Sequence, residues 1–156
     1  MAPIPDPRPG LIFRYGYVWV RDFKKNPEFV GEDRPACIVM KVSEDQEDSL
    51  QAIGGSVIEP GDVIILPITT SPPRPGDTVI ELSPDEKRIC RLDPARRSWL
   101  VVSEFNADIW PNADMSLVPG TNRFDFGMAP PGLLGRIGRA FAEARKLNKV
   151  LGIKRA

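Results

Sequence analysis

The sequence has no histidine among its 156 residues, and that absence removes more chemistry than any single residue adds. Imidazole is the side chain whose ordinary titration falls near neutral pH, and it is the commonest metal ligand. Without it, paired-imidazole ribonuclease chemistry, Ser-His-Asp hydrolysis and most zinc and iron enzymes are excluded. Any catalysis must use Arg, Thr, Ser, Asp, Glu, Lys or Tyr. Cysteine is nearly as scarce. Cys37 and Cys90 stand far apart with no C-x-x-C spacing, which fits two free thiols packed as small hydrophobes and points away from a zinc site. Net charge is missing as well: Lys plus Arg and Asp plus Glu number 21 each. No global field therefore draws the chain toward nucleic acid or an anionic membrane, and such a partner has to be met by a local patch. No segment approaches the roughly 18 apolar residues that span a bilayer, and the opening MAPIPDPRPG lacks an apolar stretch of the signal-peptide kind. The expectation is a cytoplasmic protein with no membrane partner.

A chain of this size buries a core without disulfide or metal staples. The reading is a flexible Pro-rich arm over residues 1–10, a single domain over 11–150 and a basic tail over 151–156. FRYGYVWVRD alternates Tyr15, Tyr17 and Trp19 with Gly16, Val18 and Val20, the period of a strand partly covered on both faces. The charged stretch FKKNPEFVGED, Phe23 to Asp33, reads as a loop long for a hairpin. RPACIVMKV, Arg34 to Val42, is a central strand, and acidic SEDQED is a surface loop. Pro60-Gly61 turns the chain into DVIILPITT, the third main strand, and SPPRPGD leads to TVIEL, Thr78 to Leu82. Ser83 as N-cap, Pro84 at the first helical position and acids behind it predict a short helix over Pro84 to Ile89. SWLVVSEF, Ser98 to Phe105, is a further strand, and the stretch with Trp110 and Met115 to Val118 has room for one or two more.

From Pro130 the period changes. Leu133, Leu134, Ile137, Phe141, Ala144 and Leu147 recur at three- and four-residue spacing, which predicts an amphipathic helix over about Pro131 to Lys146. Short strands followed by one such helix predict a mostly β fold with α: a small, curled, mostly antiparallel sheet with the helix packed on it.

Two residues stand out as candidates. Arg34 opens the central strand and Thr69 closes its neighbour just after Pro67, a residue that belongs at strand edges and bulges. An Arg fork beside a hydroxyl suits a phosphate, because the planar guanidinium donates parallel hydrogen bonds and keeps its charge. Each has a plainer reading. An Arg at a strand start is mostly a surface residue, and Thr at a strand end follows from β-propensity and turn chemistry.

EDRPACIVM, VIILPITTSPP and SWLVVSEFNADIW, in this order and spacing, resemble the MazF/PemK family of toxins from bacterial toxin-antitoxin systems. The likeness runs from about Pro9 to the C-terminal helix. It is closest to a PemK-like branch with a W-P-x-x-D segment, here Trp110 to Asp114. The resemblance implies an SH3-like barrel that forms a homodimer and is neutralised by a cognate antitoxin. It implies an endoribonuclease that cleaves single-stranded RNA with no metal or other cofactor, by attack of the 2′-hydroxyl on the adjacent phosphate. Arg34 matches the catalytic Arg of the R-P motif, and Thr69 the Thr of I-T. Glu104 lies about where other members carry an acid, and reads either as the proton acceptor or as a surface carboxylate paired with a base. Val102 stands where the Kid/PemK type has its active Arg, so the role carries over to Arg34 alone. RNA binding then falls to Arg21, Lys24, Lys25 and Arg74, with Tyr17 or Trp19 as a stacking ring. Core packing is the competing reading for Trp19 and Trp99.

Overall fold

A computed structural model describes residues 2–44, 50, 52–54 and 57–155. Most of the acidic SEDQED loop lies outside these residues. The elements in chain order are β1 (Leu11–Tyr17), α1 (Val20–Lys25), β2 (Glu32–Lys41), β3 (Ala52–Ile53), β4 (Val63–Thr69), β5 (Val79–Glu81), α2 (Pro84–Ile89), β6 (Trp99–Val101), β7 (Glu104–Asp108), β8 (Asp125–Met128), α3 (Pro131–Lys146) and β9 (Leu151–Lys154). The fold is mostly β with helices, as the sequence predicts.

Hydrogen bonding runs β3-β9-β7-β4-β2-β1-β8, with β6 joining β4 to β5. Among the described residues the expected antiparallel barrel does not close: β3 and β8 end this path without pairing to each other, and the sheet is mixed. The mixing comes from β9, which the sequence reading assigned to a basic tail. After α3 the chain returns and inserts β9 parallel to both β7 and β3. Lys154 at its end and Arg155 just beyond it are tied down. Lys154 pairs with Asp62, both nearly buried. Arg155 donates to Gly16 O at 2.9 Å, Asn106 Oδ1 at 2.8 Å and Asp114 Oδ2 at 2.9 Å. A cation with that many acceptors is a clasp, not a free end.

The period-two pattern of the central strands sorts their side chains onto two covered faces. Ile12, Cys37, Ile64 and Leu66 share one core with Phe105 and with Leu133, Ile137 and Phe141 of α3. Leu11, Phe13, Tyr15, Tyr17, Ala36, Ile38, Val63 and Ile65 form the other with Trp19 and Val101. Both cysteines are free and buried in the α3-side core. Burial pushes the Cys37 thiol up to about 12 and the Cys90 thiol up to about 11.

The two helices longest in local signal form as predicted. Ser83 Oγ accepts from Glu86 N at 3.1 Å while Glu86 Oε1 accepts from Ser83 N at 2.8 Å, a reciprocal cap that starts α2. Leu133, Ile137, Phe141 and Ala144 are the buried stripe of α3. Other boundaries differ. The Phe23 to Asp33 loop is shortened at both ends, by the last turn of α1 and the first residues of β2. SWLVVSEF breaks after Val101 into β6 and β7, because these pair with different parts of β4. The N-terminal arm is also held: Trp110 Nε1 donates to Pro5 O at 3.0 Å, Gly10 N donates to Ile38 O at 2.7 Å, and Gly10 O accepts from Ala129 N at 2.8 Å.

The break explains Pro67. Along one edge of β4, residues Val63 to Ile65 pair with β7 and Ile68 to Thr69 pair with β6. Pro67 falls in the gap between these partners, where a missing N–H removes no ladder bond. Its opposite neighbour is Ala36 of β2.

Candidate active site

That last pairing decides the site. β2 and β4 are antiparallel with Ala36 opposite Pro67. Two residues further along each strand, the same register sets Arg34 against Thr69, both on the face that carries Ala36 and Ile65. The apolar core of that face ends here on Tyr17 and Trp19, and a small cleft opens above Trp19. It holds about 120 Å³ and is lined by Trp19, Arg21, Arg34, Thr69, Ser71, Pro72, Arg74 and Asp77. Ligand pockets for whole small molecules usually run from about 300 Å³ upward. This one fits a single group, such as a phosphate, presented by something longer.

Arg34 is held in a poor environment for a charge. Its side chain is 19% exposed, and among the described residues its one ion pair reaches Glu32 at 3.7 Å, a side chain 85% exposed. Nε is buried with no hydrogen-bond partner among the described residues. Burial lowers the Arg34 pKa; Glu32 opposes this, and the positive charge of Arg21 adds to it. The group stays a cation at neutral pH. It is thus a desolvated, under-partnered guanidinium, and a bound anion would offset the cost. The Trp19 ring supports it. Arg34 lies 5.2 Å and Arg21 4.7 Å from the ring centroid, both within cation–π range.

Thr69 is 8% exposed. Its Oγ1 accepts from Ser71 N at 3.0 Å, which fixes the oxygen and leaves the O–H free to donate. Also in the lining, Asp77 Oδ2 accepts from Arg74 N at 2.8 Å, closing the turn that carries both residues. The lining therefore has three arginines against one carboxylate, a local positive patch in a chain of zero net charge.

Five of the residues singled out from sequence, Arg34, Thr69, Arg21, Arg74 and Trp19, meet in this cleft. The other four do not line it. Tyr17 is 1% exposed and its hydroxyl donates to Glu104 Oε1 at 3.1 Å, so it cannot stack on a base. It is core, and Trp19 supplies the aromatic floor instead. Glu104 sits beneath the site: the same Oε1 accepts from Val20 N at 3.0 Å at the start of α1. Burial raises its pKa, against the lowering effect of these two hydrogen bonds and of Arg21. It supports the helix that carries Arg21. Lys24 and Lys25 lie exposed in the last turn of α1, three and four residues beyond Arg21 on the helix. That spacing brings their faces near that of Arg21. Sequence reading missed Asp77, whose only local signal was its place after Pro75-Gly76 in a turn-rich stretch.

Comparison with known proteins finds no match among family models, curated proteins or solved structures. Among the described residues no helix is long and apolar enough to cross a membrane.

Proposed function

We propose that this protein is an endoribonuclease toxin of the MazF/PemK type, built on an SH3-like arrangement of strands, that cleaves single-stranded RNA without a metal. The observation that carries the reading is the convergence of Arg34, under-partnered and desolvated, with the Thr69 hydroxyl at one phosphate-sized cleft. A phosphorane formed by 2′-hydroxyl attack bears extra negative charge, and two fixed donors stabilise it; one such donor is typically worth about 10² to 10³ in rate. Products would be a 2′,3′-cyclic phosphate and a free 5′-hydroxyl. Arg21 and Arg74 flank the cleft, and Lys24 and Lys25 extend the basic track along α1 for neighbouring phosphates. Bases would stack on the part of Trp19 that reaches the cleft. The working form in this reading is a homodimer in the cytoplasm, and a cognate antitoxin silences it by laying an acidic segment over the same arginines.

The test is incubation of the purified protein with a long single-stranded RNA in EDTA. Cyclic-phosphate ends that vanish in Arg34→Ala support the reading; intact RNA after prolonged incubation with folded protein ends it. One observation favours a second reading, a catalytically silent binding module. Glu104, read from sequence as either the proton acceptor or a surface carboxylate paired with a base, does not line the cleft. In that case Arg34→Ala and Thr69→Val leave both RNA and growth unaffected, while a protein partner is still retained.

A further inference from the structure

Cleavage by 2′-hydroxyl attack needs a group to receive the 2′ proton, and a guanidinium that keeps its charge is not one. Resting on the functional reading above, we propose that Asp77 is that acceptor, and that Glu104 is a positioning residue behind the site. Asp77 is the carboxylate in the cleft lining. Its Oδ2 accepts from Arg74 N, which anchors the group in its turn. Oδ1 has no hydrogen-bond partner among the described residues, so it is available to accept from a substrate hydroxyl. Arg34, Thr69 and Asp77 line the same small cleft, so a phosphate held by Arg34 and Thr69 brings its neighbouring sugar to the wall that carries Asp77. Glu104 lacks this access. One oxygen serves Tyr17 and Val20, and its contribution is to hold the start of α1, and with it Arg21, against Trp19.

The step balances without any further reagent but solvent. The 2′-O–H bond breaks and its proton passes to Asp77 Oδ1 while the 2′ oxygen forms a bond to phosphorus. The P–O5′ bond breaks with its electron pair left on O5′, which takes a proton from water. Asp77 then returns its proton to solvent. Arg34 and Thr69 donate to the phosphoryl oxygens throughout.

The experiment compares wild type, Asp77→Asn and Glu104→Gln in single-turnover cleavage of one RNA, and in binding to the same RNA carrying 2′-O-methyl groups, which cannot react. Asn keeps an oxygen for Arg74 N, and Gln keeps one for Tyr17 and Val20, so both variants retain their local bonds. Asp77→Asn should cleave about 10² to 10⁴ slower with binding of the methylated RNA unchanged or tighter, whereas Glu104→Gln stays within about tenfold of wild type. Asp77→Ala should regain rate when formate is added. Asp77→Asn cleaving at the wild-type rate, or slowed only as far as its binding weakens, overturns the assignment and leaves the nuclease reading standing. A wild-type protein that binds the methylated RNA but cuts none of the reactive one overturns the nuclease reading, and the Asp77 step falls with it.

Discussion

Arg34→Met separates the roles of this side chain in folding and in function. The replacement keeps an unbranched apolar stem and removes the guanidinium. In the folded protein that charge is mostly buried, with an unpartnered Nε and one long ion pair to an exposed Glu32. Relief of an unsatisfied buried donor is worth about 1–3 kcal/mol. Against it stand loss of a surface-type ion pair, about 0–1 kcal/mol, and loss of the contact over Trp19, about 0.5–2 kcal/mol. The opposing contributions nearly cancel. Net stability should change by no more than about 1 kcal/mol, or about 4 °C in Tm for a chain of this length. RNA cleavage should meanwhile fall by at least about 10². Urea denaturation and a cleavage assay on the same preparation read both quantities. An arginine locked into a satisfied buried network costs about 3–5 kcal/mol to remove. A loss of that size in Arg34→Met, or a variant that cleaves as well as wild type, would refute the argument that Arg34 is held at a cost for the sake of an anion.

Thr69→Val should lower cleavage by about 10² to 10³ while Thr69→Ser keeps most of it, since only the hydroxyl is needed; equal loss in both would show that packing at Thr69 matters instead. Glu104 has its pKa raised by burial above its ordinary 4.5, so the folded state holds this proton more tightly than the unfolded state does. Its favourable contribution is full below 4.5 and is lost as pH rises through the raised value. Glu104→Gln should therefore show a smaller fall in stability than wild type between pH 4.5 and 7 by urea denaturation, and identical profiles would remove Glu104 as the cause. At Gly152 of β9 an added Cβ would run into the Phe105 ring, so Gly152→Ala should destabilise by about 1–3 kcal/mol in thermal melts; a neutral result would show that β9 shifts freely on β7.

What could be read from the sequence is what neighbouring residues settle among themselves. α2 follows from a cap, a proline and an acid within four consecutive positions, and α3 from a stripe whose period needs no knowledge of what covers it. Zero histidine restricts the chemistry whatever the fold. The residue types suited to a phosphate, Arg34 and Thr69, were visible because each ends a readable strand. Tertiary structure decided the rest, because the deciding distances cross the chain. The antiparallel register of β2 on β4 brings Arg34 opposite Thr69 across some 35 intervening positions in the chain. Tyr17 and Trp19 have the same alternation in sequence, but the closing strands bury the Tyr17 ring and leave part of Trp19 as the cleft floor. β9 escaped notice since four residues of mixed character read as a tail until two parallel partners and the acceptors around Arg155 are in place. Asp77 likewise takes its meaning from a turn that sets it in the same cleft as a charge more than 40 residues away. Local free energy is encoded in adjacent residues, whereas a site is defined by groups whose proximity exists only after the sheet has assembled.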